Sequence, residues 1–227
     1  MLAAVAIIPS APVLVPELAG TAATELADLY DAVRAAAVEL PARWIAVGAA
    51  AASARLDAAA AGTFAGYGAD IRVGLSPGAD QFAELPLCAL ITGWLRGVVA
   101  PDARADVLCL PADLDAESAV DRGRALRAEI DATAESVGVL VVADGCHTLT
   151  PSAPGGYHPA STSVQDSLDG ALAAGNPAEL SRLPDGVVGR SAFAALAGLF
   201  DHPPGHAREL YRGAPYGVGY FAGVWRP

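Results

Sequence analysis

The residues best suited to chemistry lie in the stretch VVADGCHTLTPSAPGGYHP, positions 141–159, which continues an apolar run. This stretch contains Asp144, Cys146, His147 and His158, in a chain that has only 4 histidines in all. A histidine in a loop after a strand suits general acid–base chemistry, because imidazole gains and loses a proton close to neutral pH. We therefore interpret His147, which closely follows Asp144, as the first candidate for a catalytic or ligand-binding residue.

The other polar side chains of this stretch also have plain structural explanations. Asp144 is as well suited to capping the following turn as to a role in a site. Cys146 would be a nucleophile if His147 were its base, but adjacent side chains rarely point toward each other, so a small buried thiol is the simpler interpretation. His158 lies in a Gly-rich turn and is expected at the rim or in solvent. The remaining histidines flank a Pro-Pro-Gly segment and are interpreted as loop residues, which leaves a four-histidine metal site unsupported: His202 and His206.

Unbroken apolar runs predict the strands that position these residues. Such runs are typical of strands that are buried on both faces, and they lie at 2–8, 43–49, 105–111 and 138–144. A further strand is predicted at 70–75, and the segment 208–225 reads as two strands joined by a Gly/Pro turn.

Helices are predicted between most of these strands. Thr21 or Thr24 is expected to cap the first helix, which ends near Leu40. The others are predicted at 84–99, 115–135, 161–174 and 189–199. Alternating strands and helices favour a three-layer α/β/α fold around a mixed, mostly parallel sheet, formed as one domain over residues 1–227.

Three loops bring polar chemistry to the carboxyl ends of the predicted strands. They are 9–17, 48–53 and 144–159, and the first of them contains Ser10. In sheets of this class, ligands bind in the crevice outside the carboxyl ends of the strands. We therefore expect Ser10, Asp144 and His147 to line one crevice.

Composition excludes several classes of protein. The 227 residues are 53% hydrophobic, but much of this is alanine, and the most apolar stretch, 85–100, contains Arg96 and is too short to span a bilayer. The first residues lack the basic segment of a secretory leader, so a cytoplasmic protein is expected. The net charge is −11 and no basic cluster occurs, which argues against nucleic acid and anionic membranes as partners. Three scattered cysteines predict neither a disulfide framework nor a zinc site.

In order along the chain, three segments resemble the class III extradiol ring-cleavage dioxygenases of the LigB-like superfamily. The opening IIPSAPVLVPELAG is similar to a family opening in which a strand runs into P-H-P-P-L-L-V-P-E. The segments VADGCH and SAPGGY look like the family's later strand end, G-D-x-S-H or G-D-G-S, and its A-P-G-Y segment. The end, ELYRGAPYGVGYFAGVW, is similar to the closing segment of the actinobacterial single-domain branch.

The resemblance implies a site that this chain has largely lost. Family enzymes bind Fe(II) through two histidines and a glutamate, and a further histidine acts as acid and base. The iron histidines correspond to Ser10 and to Ala49 or Ala50, the acid–base histidine corresponds to His147, and Glu209 is the only acid near the position of the glutamate. A serine hydroxyl is a poor Fe(II) ligand and alanine is none, so no metal or other cofactor is expected.

Three hypotheses follow for the function. The first is a non-dioxygenase member of the superfamily, a pseudoenzyme or small-molecule binder, whose pocket keeps Ser10, Asp144 and His147 for a small aromatic or carboxylate ligand. The second is an active ring-cleaving dioxygenase that acts on a catechol-type aromatic and recruits iron through other residues. The third is a metal-free hydrolase in which His147 activates Ser10 and Asp144 orients the histidine. Whether the chain is an enzyme, and whether it forms a homo-oligomer, is left open by the sequence.

Overall fold

A mixed seven-stranded sheet forms the centre of the protein. The computed structural model describes residues 1–227, apart from the side chain of Ala22. Four parallel strands form the middle of the sheet in the order β7-β2-β8-β1: β1 (Leu2–Ile8), β2 (Arg43–Ala50), β7 (Arg104–Pro111) and β8 (Val137–Val142). Antiparallel strands complete its edges: β3 (Ala54–Leu56) beside β7, then β10 (Tyr220–Arg226) beside β1 and β9 (His206–Gly213) outermost.

Helices cover both faces of this sheet. In chain order they are α1 (Pro16–Ala19), α2 (Ala27–Ala37), α3 (Leu87–Val99), α4 (Ala116–Asp131), α5 (Ser161–Ala174), α6 (Pro177–Leu180) and α7 (Arg190–Gly198). The buried residues of α2 and α3 pack on one face of the sheet, and those of α4, α5 and α7 pack on the other. The predicted three-layer α/β/α class with a mixed, mostly parallel sheet is thereby confirmed.

Side chains of one strand serve both cores, because successive residues of a strand point to opposite faces. In β1, Ala6 and Ile8 belong to the core beneath α2 and α3, whereas Val5 and Ile7 belong to the core beneath α4, α5 and α7. This double burial explains why the central strands lack polar alternation and are readable as continuous apolar runs.

Several elements differ from the sequence-based predictions. The strand expected at 70–75 is shortened to β5 (Arg72–Gly74) and belongs to a separate three-stranded sheet, with β4 (Ala60–Thr63) between it and β6 (Gln81–Phe82). Strands β4 and β6 were not predicted, because they are too short for an apolar pattern to reveal them. Helix α2 begins at Ala27 with no side-chain cap, because Thr21 and Thr24 lie in a preceding 3-10 turn. His206 opens β9 and is therefore a strand residue, because its backbone pairs with Arg226.

Two contacts depend on glycine at close approaches between elements. A side chain at Gly48 of β2 would overlap Cys88 of α3, so the absence of a side chain lets this helix lie tightly on the sheet. A side chain at Gly123 of α4 would overlap the carbonyl oxygen of Ala195, and one at Gly198 would overlap that of Val120. Helices α4 and α7 therefore meet backbone to backbone. Across the described residues, every helix is too short or too polar to cross a bilayer.

Candidate functional site

The candidate site lies at the ends of two neighbouring strands whose following connections run to opposite faces of the sheet. Strand β1 leads to α2 on one face, and the adjacent parallel strand β8 leads to α5 on the other face. Such a divergence opens a crevice at the carboxyl ends of the two strands, which is the usual ligand position in open α/β sheets. Ser10 follows β1 and Asp144 follows β8, so both residues lie at the carboxyl ends of these two strands.

Ser10 and Asp144 are brought into direct contact there. The backbone N–H of Ser10 donates a hydrogen bond of 2.7 Å to Asp144 Oδ1. Asp144 is 9% exposed, whereas Ser10 is half-buried. Burial raises the pKa of the Asp144 carboxyl to about 7, and the hydrogen bond from Ser10 opposes this rise. The carboxyl therefore exists in both protonation states near neutral pH.

The backbone around Asp144 is fixed by other elements. The N–H of Ala143 donates to the carbonyl of Ile8 at 2.9 Å, which extends the pairing of β8 with β1 up to the site. The N–H of Gly189, just before α7, donates to the carbonyl of Asp144 at 2.8 Å. A side chain at Gly189 would overlap Ala143, so this approach requires glycine. The Asp144 carboxyl is thus held on a rigid support.

One phenol group, that of Tyr220, lies near enough to Asp144 for their charges to interact. Tyr220 is buried at the start of β10, and burial followed by the charge of Asp144 raises the pKa of its phenol far above the ordinary value. Tyr216 and Tyr211 raise that pKa further, so they are also near neighbours. The Tyr216 hydroxyl donates to Glu25 Oε2 at 3.3 Å. The environment of Asp144 therefore combines aromatic surface with groups that can donate hydrogen bonds.

His147 occupies the same loop but is not joined to the Ser10–Asp144 pair. Its Nδ1 atom is buried, and no hydrogen-bond partner for it occurs among the described residues. The ring packs against Gly155, since a side chain there would lie 2.6 Å from His147 Nε2. The Gly155 N–H in turn donates to the His147 carbonyl at 3.0 Å. An unpaired buried nitrogen is uncommon and costly, and His147 Nδ1 is both without a partner and closed to solvent in this structure.

The remaining residues of the opening stretch have the positions expected for structural roles. Cys146 is fully buried, and burial raises the pKa of its thiol, which disfavours the thiolate that a nucleophile requires. His158 is exposed, and so are His202 and His206.

The residues at the family's iron positions do not fit an Fe(II) site. Ser10 offers a hydroxyl, and Ala49 and Ala50 at the end of β2 offer only methyl groups. Glu209 lies on β9, where both of its carboxylate oxygens accept hydrogen bonds from Arg212. In the part of the chain that the structure describes, no three His, Cys, Asp or Glu side chains are grouped closely enough to hold a metal ion.

Two contributors to this region escaped the sequence analysis. Gln165 and Asp169 are buried on α5, and Gln165 contacts the loop that contains Asp144. A signal was present, because both polar residues share a helix face with Leu168 and Leu172 at helical spacing. Tyr220 gave no such signal, since its proximity to Asp144 depends on the pairing of β10 with β1.

Comparison with known proteins establishes the fold alone. No family model matches the chain, and no curated protein sequence matches it. Among solved structures, the chain is similar to JW3007 from Escherichia coli K12, described as an uncharacterized protein. The likeness has a TM-score of 0.57 and covers 98% of this chain and 99% of that chain, at 13% sequence identity.

Proposed function

We propose that the protein is a LigB-like superfamily member that has lost its iron site and binds a small aromatic or carboxylate ligand beside Ser10, Asp144 and His147. The ordered resemblance of the segments around Ser10 and His147 supports the family. The residue types at the iron positions support the loss of the metal, because neither serine nor alanine replaces a histidine ligand. On this proposal the protein is a binder or pseudoenzyme.

The hydrogen bond between Ser10 N and Asp144 Oδ1 is the observation that carries the proposal. It joins a buried carboxyl after β8 to the loop after β1, at the carboxyl ends of these two strands. With a pKa of about 7, the carboxyl is protonated in part of the molecules at neutral pH and can then donate a hydrogen bond to a carboxylate or phenolate oxygen. The half-buried His147 supplies a second polar group on the same loop, and the buried ring of Tyr220 lies near Asp144.

Binding of protocatechuate, measured by calorimetry between pH 5 and 8, tests the proposal. We expect the affinity to fall about tenfold or more as pH rises through 7, because an ionised Asp144 cannot donate a hydrogen bond to the ligand carboxylate. Asp144→Asn keeps a donor at every pH and should remove most of this dependence. His147→Ala should weaken binding, whereas His158→Ala, an exposed histidine on the same loop, should not. Equal affinities of His147→Ala and the native protein would count against the site.

Iron content distinguishes the proposed iron-free binder from the competing hypothesis, an active ring-cleaving dioxygenase. Protein incubated anaerobically with Fe(II) and then desalted should retain far less than one equivalent, and it should not open the ring of protocatechuate when O₂ is admitted. Stoichiometric iron together with oxygen-dependent ring opening would establish the dioxygenase instead. A hydrolase in which His147 activates Ser10 gains no support from the hydrogen bonds, since His147 Nδ1 contacts neither Ser10 nor any other described polar group.

A further inference from the structure

The amide of Gln165 is wedged between two glycines beside the candidate site. Gln165 lies on α5 and is buried, and a side chain at either Gly145 or Gly219 would overlap its amide group. Its Oε1 accepts a hydrogen bond of 2.8 Å from the N–H of Cys146. The loop that contains Asp144 and His147 is therefore in direct contact with α5 through this side chain, in addition to the hydrogen bond between Thr148 and Ser161.

The same loop is paired with the segment that enters β10. The N–H of Gly145 donates to the carbonyl of Gly219 at 2.8 Å, and the N–H of Gly219 donates to the carbonyl of Cys146 at 2.8 Å. Gln165 lies over this pairing and completes it, because it accepts from the remaining Cys146 N–H. Moving the amide would loosen the backbone between Asp144 and His147.

Asp169 fixes which way round the amide points. Gln165 Nε2 donates to Asp169 Oδ1 at 2.8 Å, one helical turn further along α5. An ionised carboxylate only accepts hydrogen bonds, so it holds the NH₂ group of Gln165 toward itself and the oxygen toward Cys146. A protonated carboxyl still accepts through its carbonyl oxygen but can also donate, so it no longer excludes the opposite orientation of the amide. In that orientation the NH₂ group faces the Cys146 N–H, and the hydrogen bond that holds the loop is lost.

Groups from three elements influence the pKa of the Asp169 carboxyl. Burial raises its pKa to about 6, and this is opposed by the hydrogen bond from Gln165 and by the positive charge of Arg212 on β9. Glu209 on β9 and Asp166 on α5 raise the pKa further, and the Cys146 thiol of the loop also faces this carboxylate. Asp169 therefore changes charge within reach of neutral pH.

We infer that Gln165 is a positioning residue of the candidate site and that the protonation state of Asp169 regulates its hold on the loop between Asp144 and His147. Ionised Asp169 locks the loop, and protonated Asp169 releases it. The inference rests on the proposed function only in treating this loop as part of the ligand site. We call the hydrogen bonds of Gln165 to Cys146 and to Asp169 the latch, and this latch is testable without a ligand.

The amide N–H of Cys146 reports the latch directly. In ¹⁵N-labelled, ligand-free protein, we expect its chemical shift to titrate with a midpoint near pH 6, and its hydrogen exchange, corrected for intrinsic pH dependence, to accelerate at least tenfold below that midpoint. Asp169→Asn keeps an oxygen acceptor for Gln165 Nε2 and should abolish both changes. Asp166→Asn, which alters an exposed carboxylate on the same helix, should leave them in place. Persistence of the titration in Asp169→Asn would overturn the inference.

One further variant and one further measurement test the latch separately from the proposed function. Asp144→Asn removes the nearby carboxyl and should leave the midpoint near pH 6, and loss of the titration in this variant would assign it to Asp144 and refute the latch. Protocatechuate binding provides the second readout. If the Cys146 titration is present but the ligand does not bind at any pH, the latch stands and the proposed function fails. If the ligand binds but the titration is absent, the latch fails alone.

Discussion

At the scale of residues, burial of the Asp144 carboxyl makes the stability of the fold depend on pH. Taking a carboxylate out of water disfavours its charged form, and a single backbone hydrogen bond from Ser10 compensates only in part. The folded protein therefore holds the proton more tightly than the unfolded chain does. Protonated Asp144 favours the fold, and this contribution is lost as pH rises through about 7.

Asp144→Asn is expected to stabilise the protein most at pH 8 and by less than half as much at pH 5, because at pH 5 only the unfolded chain has an ionised Asp144. The pKa rises from 3.8 to about 7 on folding, and at roughly 1.4 kcal/mol for each tenfold change this corresponds to about 4 kcal/mol as an upper bound. Asparagine keeps an oxygen for the Ser10 N–H and has no charge to bury. Urea unfolding at both pH values measures the difference. Exposed Asp113→Asn serves as the control, and an equal effect of Asp144→Asn at pH 5 and pH 8 would show that the carboxyl is not perturbed.

At the scale of elements, the contact between α4 and α7 depends on the missing side chains at Gly123 and Gly198. Each glycine faces a carbonyl oxygen of the opposite helix, so the two backbones touch without intervening side chains. Glycine ordinarily costs a helix about 0.5–1 kcal/mol relative to alanine. Close packing of the helices over the sheet compensates for this cost.

Gly123→Ala should therefore destabilise the protein by about 1–3 kcal/mol, because the added methyl group forces the helices apart. Gly97→Ala in α3 is the matched control, since Gly97 is exposed and nothing lies within 4 Å of the position that a side chain would take. That variant should be stabilised by about 0.5–1 kcal/mol. Thermal and urea unfolding of the two variants give the comparison, and a stabilised Gly123→Ala protein would contradict the close contact.

At the scale of the whole molecule, the sequence predicted what depends on burial and missed what depends on distant contacts. Strands β1, β2, β7 and β8 were predictable because burial on both faces demands unbroken apolar runs. Of the small sheet, only β5 was predicted, since strands such as Gln81–Phe82 leave no periodicity. Loop position predicted that Ser10 and Asp144 lie close together, and their hydrogen bond confirms this proximity. Their hydrogen bond and the wedge of Gln165 depend on contacts between residues far apart in the chain, which no local pattern records.

The two edge strands of the seven-stranded sheet affect whether the protein aggregates. Edge strand β3 is only 3 residues long, and its Arg55 forms ion pairs with Asp106 and Glu129. The other edge strand, β9, carries charged Arg208, Glu209 and Arg212. Pairing of a second molecule with either edge strand would remove water from these charges, which is energetically costly. Charged edge strands are one way in which natural sheets avoid fibrous aggregation. The charged side chains therefore protect the unpaired backbone N–H and C=O groups of the two edge strands from pairing with another molecule.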